Sequence, residues 1–298
     1  MQKNPLDEVQ SRLVLLVCTG VFLGLGIMVS MLLDIDNLKN AGEGTLFALD
    51  NYLGILSYLM IAALLWQIST EQRDELAELL FNLPNTQTLK SYFRLSVGIV
   101  ILSIGLTYLL FYPLSLFIPE WVQGRLLEAP YLFYWDENGW YLPGNLAGFI
   151  LAVVLAPVIE EFLFRAYLLN RWTLKMGAAP AILLSASLFA ILHPDILSAF
   201  VFAVLMSLLY LKTRSLVAPI LVHASNNLIA VTLEWLDHRY WTGFETVTIA
   251  DFQAYLWLGI ICLLIGGSWI WHYSRKHLMP LNHLLAEHEK GSPDKLRL

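Results

Sequence analysis

Charge is what this chain has least of. Of its 298 residues only 14% are Asp, Glu, Lys or Arg, where soluble domains carry roughly 25%, and its mean hydropathy is +0.62. That shortage excludes an ordinary soluble domain. Basic residues are the scarcer sign: 18 Lys and Arg against 24 Asp and Glu give a net charge of −6, and no basic stripe is present to hold nucleic acid. Cysteine is limited to Cys18 and Cys262, both inside apolar runs, so no disulfide or cysteine metal framework is implied. No internal repeat is visible. The first apolar run follows a mixed-charge segment (Lys3, Asp7, Glu8, Arg12) and lacks the Ala-x-Ala exit of a cleaved signal, so it is expected to be a retained helix.

Uninterrupted apolar sequence is what the chain has in excess. No charged residue falls within 13–33, 51–70, 95–118, 138–159 or 252–271. About 20 such residues cross a hydrocarbon core of roughly 30 Å as a helix. The expected fold is an all-α, polytopic membrane bundle of about eight transmembrane helices, at 13–33, 51–68, 95–118, 145–172, 178–193, 196–211, 216–236 and 252–273. Three parts follow. Residues 1–144 form an N-terminal membrane region of about three helices plus an interfacial helix, 145–236 a core, and 237–298 the last helix and a tail. Lys and Arg concentrate before the first span and in alternate connections (Arg73, Lys90, Arg94; Arg171, Lys175; Lys212, Arg214; Arg275, Lys276). The positive-inside rule then predicts a multi-pass protein of the cell membrane with both termini cytoplasmic.

Two further pieces are legible. Ser69 and Gln72 have capping-box spacing, and Leu76, Leu79, Leu80 and Leu83 share one face before Pro84 and Asn85, predicting a short interfacial helix. The 119–144 connection holds Trp121, Tyr131, Phe133, Tyr134, Trp135, Trp140 and Tyr141. Such rings form headgroup-level belts; a substrate gate is the other reading.

The informative residues are polar groups inside spans, which cost at least ~2.5–3.5 kcal/mol each when charged. Glu160, Glu161 and Arg165 interrupt a greasy helix. Glu161 and Arg165 lie at i, i+4 and can pair on one face. Glu160 points about 100° away, without a partner on its own helix. A carboxyl in that setting is expected to titrate nearer neutrality and to suit general-base work; a buried ion pair that only fixes packing is the bland alternative. Phe189 and His193 also sit at i, i+4, ahead of a break at Pro194. His223 and Asn227 repeat the spacing in the uncharged run 215–233. Each histidine alone could be a helix–helix hydrogen-bond partner. His223 with Asn227 offers two neutral donors on one face, as an oxyanion requires.

Glu160-Glu161-x-x-x-Arg165, Phe189-x-x-x-His193 and His223-x-x-x-Asn227, in that order on successive helices, resemble the CAAX-protease and bacteriocin-processing (CPBP, or Abi) family of intramembrane endopeptidases. The likeness covers roughly 145–235; the first 140 residues carry no recognisable motif. Ala166 stands where many members have Gly. The resemblance implies that Glu160 and His193 activate a water, that His223 and Asn227 hold the oxyanion, that Arg165 with Glu161 orients the site, and that Phe189 walls it. It implies a peptide or membrane-protein substrate, with or without a prenyl group, and no cofactor. Zinc held by the Glu and two His is the alternative, although His-Glu-x-x-His is absent and Asn is a poor ligand. A helical amide cannot be cut, so the substrate is expected to offer an extended segment, near the cytoplasmic side.

These spans place His193 near the far end of a short helix, away from Glu160. Either the boundaries are misplaced or 178–211 is broken or re-entrant; misplaced boundaries are the expectation. Three rival functions stay open. A proton-coupled transporter would also use membrane carboxylates and histidines, but would show repeat symmetry. A haem-binding electron carrier could use His193 and His223 as axial ligands, leaving the Glu–Glu–Arg group unexplained. A family member without catalysis could serve as a membrane interaction or immunity protein.

Overall fold

The structure is a computed structural model that describes residues 19–21, 42–68, 84–128, 132–136, 139–237, 239–240 and 247–278. The first expected span, apart from the helical residues 19–21, lies outside the described residues, as do the interfacial helix at 69–83 and the tail beyond 278.

Nine helices follow in chain order among the described residues: α1 (Glu43–Ile68), α2 (Thr86–Phe117), α3 (Pro119–Val122, continued as one π turn through Leu127), α4 (Leu142–Met176), α5 (Ala178–Ile191), α6 (Ile196–Thr213), α7 (Val217–Asp237), α8 (Ile249–Ala254) and α9 (Leu256–His277). Six of them, α1, α2, α4, α6, α7 and α9, are long and apolar enough to cross a membrane. The chain is thus a polytopic helical bundle. A two-residue hairpin, Trp135–Asp136 with Gly139–Trp140, is the one sheet among the described residues.

The ends of these helices are set by local chemistry. Asn85 caps α2, its side chain accepting from the Thr88 N–H at 2.9 Å, so α2 begins well before the charge-free stretch and carries Lys90 and Arg94 in its first turns. Thr248 and Asp251 form a capping box at α8, and the chain breaks at Tyr255 before α9. Gly177, at φ 85°, is the hinge between α4 and α5, a conformation that a side chain would strain.

That hinge folds α5 straight back along α4. The Ser185 hydroxyl donates to the Phe164 carbonyl at 3.2 Å, and the Phe164 and Phe189 rings meet edge-on at 5.1 Å. At 14 residues α5 rises only about 21 Å, short of the roughly 30 Å of a hydrocarbon core, and 192–195 turn back into α6. The expected boundaries of this segment lie within two residues of the observed ones; what differs is that the helix is too short to cross. The discrepancy over His193 therefore comes from helix length, not from misplaced ends.

Glycine sets the tightest helix pair. A Cβ on Gly105 of α2 would lie 2.4 Å from the Leu263 Cα, and one on Gly266 of α9 would lie 2.4 Å from the Leu102 nitrogen. Small residues permit this backbone contact, the usual source of helix adhesion in lipid. The main core is built by the second half of α4 with α5, α6, the start of α7 and the first two thirds of α2. The aromatic connection is pinned at the opposite end of α4. Asn145 accepts from the Tyr134 N–H at 2.7 Å and donates to its carbonyl at 2.8 Å, while Glu234 accepts from the N–H groups of Leu132 and Phe133 at 2.6 and 3.2 Å.

Candidate active site

α4 is not uniform. Two π-helical stretches, Ile150–Leu155 and Phe162–Leu169, flank the α-helical turn Ala156–Glu161 that carries both glutamates. Single π turns inside helices recur at functional sites, and here Pro157 accounts for the consequence of the first. The Ala156 N–H bonds to the carbonyl of Leu151, five residues back. In that register residue 157 would serve Ala152, but proline has no N–H to give. The Asn227 side chain on α7 supplies the missing donor, at 2.8 Å from the Ala152 oxygen.

Glu161 and Arg165 are fully buried and paired, Nε to Oε2 at 3.0 Å. The guanidinium also donates to the Ala203 carbonyl at 3.3 Å and lies 5.0 Å from the Phe189 ring centre. The other Glu161 oxygen meets Nδ1 of His223 at 2.9 Å. A carboxylate held by Arg165 can only accept, so Nδ1 carries the proton and Nε2 of His223 is turned toward Glu160, 3.9 Å from its Oε2. That gap is too long for a direct hydrogen bond. The Phe202 ring stands edge-on to His223 at 4.8 Å.

Glu160 keeps 15% of its side chain exposed. Its Oε1 accepts a hydrogen bond from the Tyr58 hydroxyl of α1, and its Oε2 has no hydrogen-bond partner among the described residues. His193 sits at the end of α5. Its Nδ1 is 2.8 Å from the Phe189 carbonyl, again a pure acceptor, which leaves Nε2 with the lone pair. Its ring stacks on Phe189 at 4.3 Å, and Phe189 in turn faces His223 at 6.1 Å. The Arg125 guanidinium, on the π turn after α3, donates to the His193 carbonyl at 2.8 Å. Asp195 caps α6, accepting from the Ser198 N–H at 3.2 Å and from the Thr107 hydroxyl.

Glu160, Glu161, Arg165 and His223 therefore form one contiguous group. His193 joins it through Phe189, and Asn227 stands one helical turn from His223 with its amide on Ala152. The sequence offered no route to Tyr58, an ordinary tyrosine in an apolar span, or to Arg125. Among the described residues no group of three or more His, Cys, Asp and Glu side chains is placed to hold a metal ion.

Residues 142–229 match the family model described as Rce1-like, type II CAAX prenyl endopeptidase. The matched segment contains all six candidate residues and leaves α1, α2, α3, α8 and α9 outside it. No curated protein and no solved structure matches the chain. Over this segment the chain is similar to the CAAX prenyl endopeptidases of that family.

Proposed function

We propose that this multi-pass membrane protein is an endopeptidase that hydrolyses peptide bonds with a water activated by Glu160 and His193, without a metal ion. The observation that carries the reading is Glu160 Oε2, a carboxylate oxygen with no hydrogen-bond partner among the described residues, 3.9 Å from His223 Nε2. Glu160 takes a proton from the water, whose second hydrogen is oriented by the lone pair on His193 Nε2. The hydroxide adds to the scissile carbonyl carbon. The oxyanion is held by the second Asn227 N–H and by His223, which donates from Nε2 only in its doubly protonated form. Collapse of the tetrahedral species expels the amine, which receives the proton from Glu160. Glu161 and Arg165 fix the orientation of the His223 ring, and Phe189 separates the two imidazoles.

In this reading 145–236 is the catalytic core, 1–144 an N-terminal membrane region and 237–298 the last helix and tail. Both termini face the cytoplasm, and the substrate is a peptide or membrane protein, prenylated or not. The test is cleavage of a peptide library, farnesylated C-terminal peptides included, by protein purified in detergent. Wild type runs beside Glu160→Ala and His193→Ala, each with and without a strong chelator. Loss in both variants with indifference to chelator is the expected result. Loss on chelation, restored by zinc, would make Glu160, His193 and His223 ligands. Cleavage that survives Glu160→Ala would sink the assignment.

A further inference from the structure

The turn that carries His193 has little hold of its own. α5 finishes on two tightened bonds, from the Leu192 N–H to the Phe189 carbonyl at 3.2 Å and from the His193 N–H to the Ala190 carbonyl at 3.0 Å. Pro194 then offers no N–H, and helical bonding resumes with the Ala199 N–H on the Asp195 carbonyl at 3.0 Å. Side chains bridge the gap. Arg125 takes the His193 carbonyl at 2.8 Å. Two residues on, the Asp195 side chain reaches α2.

The Asp195 carboxylate divides its oxygens. Oδ1 caps α6 through the Ser198 N–H at 3.2 Å. Oδ2 faces two hydroxyls, that of Thr107 on α2 and that of Ser198, the latter at 2.6 Å. The Ser103 carbonyl also lies near both, 2.9 Å from Thr107 and 3.1 Å from Ser198. That carbonyl is uncharged and already serves its own helix, whereas a carboxylate is the stronger acceptor, so both protons are drawn to Oδ2. Capping accounts for Oδ1 alone, since a serine or asparagine would cap α6 as well. The second oxygen is what ties the turn to α2. Ser103 and Thr107 share the α2 face toward α6, and Gly105 lies about 200° round from each, packed backbone to backbone on Leu263 of α9. At this level α2 is a fixed wall, and Thr107 is the point where Asp195 is fastened to it.

We infer that Thr107 and Asp195 are positioning residues, through which α2 fixes the turn that sets His193 in register with Glu160. Neither touches the reacting atoms; both act through the imidazole. The role rests on the endopeptidase reading. It makes α2, which lies outside the matched segment, part of the construction of the site.

The test reads kcat, KM and melting temperature of the full chain in detergent, on a peptide cut in the library assay. Asp195→Ser keeps a capping oxygen but is too short to reach α2. Thr107→Val removes the hydroxyl and keeps the shape. Each should lower kcat about tenfold through misplacement of the imidazole, with KM and melting temperature close to those of wild type. The double variant should be no slower than either single one, because both break the same bond. Thr107→Ser and Asp195→Asn, which still reach across, should keep most of the rate. Wild-type kcat in Thr107→Val, losses that multiply in the double variant, or equal losses in Thr107→Val and Thr107→Ser overturn the positioning role and leave the protease standing. A fall in kcat that tracks a fall in melting temperature reduces the pair to a structural contact and overturns it likewise. No cleavage by wild type overturns the protease reading, and the positioning role with it.

Discussion

Tyr58 and Glu160, 102 residues apart in sequence, are joined by a hydrogen bond from the tyrosine hydroxyl to the glutamate Oε1. One carboxylate oxygen is thereby fixed to α1 and the other is left facing His223. In the proposed mechanism the two oxygens of Glu160 have different work, and α1, which lies outside the family segment, distinguishes them. Tyr58→Phe should lower kcat roughly 10- to 100-fold with little change in KM, the loss of one hydrogen bond to a charged group at about 1.5–3 kcal/mol. Steady-state kinetics on a cleavable peptide checks this. A change confined to KM would remove Tyr58 from the site.

Asn227 and Pro157 are coupled through the Ala152 carbonyl. Asn227→Leu leaves that buried oxygen without a donor and should cost about 1–3 kcal/mol of stability. Pro157→Ala returns a backbone N–H to the position five residues on, so the double variant should recover thermal stability in detergent. Activity should stay low in the double variant, because the second Asn227 N–H is still gone. Recovery of both would reduce Asn227 to a structural cap.

The buried Glu161–Arg165 pair predicts a different pattern. Arg165→Met strands a carboxylate in a dry core and should destabilise by about 3–5 kcal/mol. Adding Glu161→Gln removes the stranded charge and should restore much of that loss. The measurable signature is a double-mutant cycle on the detergent melting temperature with a large coupling between the sites.

Arg125 holds the His193 turn from outside the family segment. Arg125→Ala should lower kcat by about tenfold, a misplacement effect, while Arg125→Lys, which still reaches as a donor, should keep most of the rate. Equal loss in both variants would point to a general weakening of α3.

The helical class and most span positions could be read from hydropathy, because a bilayer demands long apolar runs whatever they touch. The Glu161–Arg165 pair was equally legible, since i, i+4 spacing on one helix fixes proximity. The depth of His193 was not. Hydropathy cannot distinguish a helix that crosses from one that stops halfway, because both are apolar throughout. Nor could spacing reveal Tyr58 or Arg125, whose partners lie on other helices. The role of Asn227 on Ala152 depends on a π turn, which has no sequence signature beyond Pro157. The two neutral donors expected of His223 and Asn227 are reduced to one, since the His223 proton is committed to Glu161.

The fourteen residues of α5 act as a gauge. Measured from Gly177, they set His193 level with Glu160, and removing one turn would withdraw the imidazole by about 5.4 Å. The reference point is internal to the protein, so a thicker or thinner bilayer changes how far the site lies from its surface but not the alignment of the two residues. In the endopeptidase reading, where a peptide bond is cut is thus written in this chain as a length, while side chains determine only how it is cut.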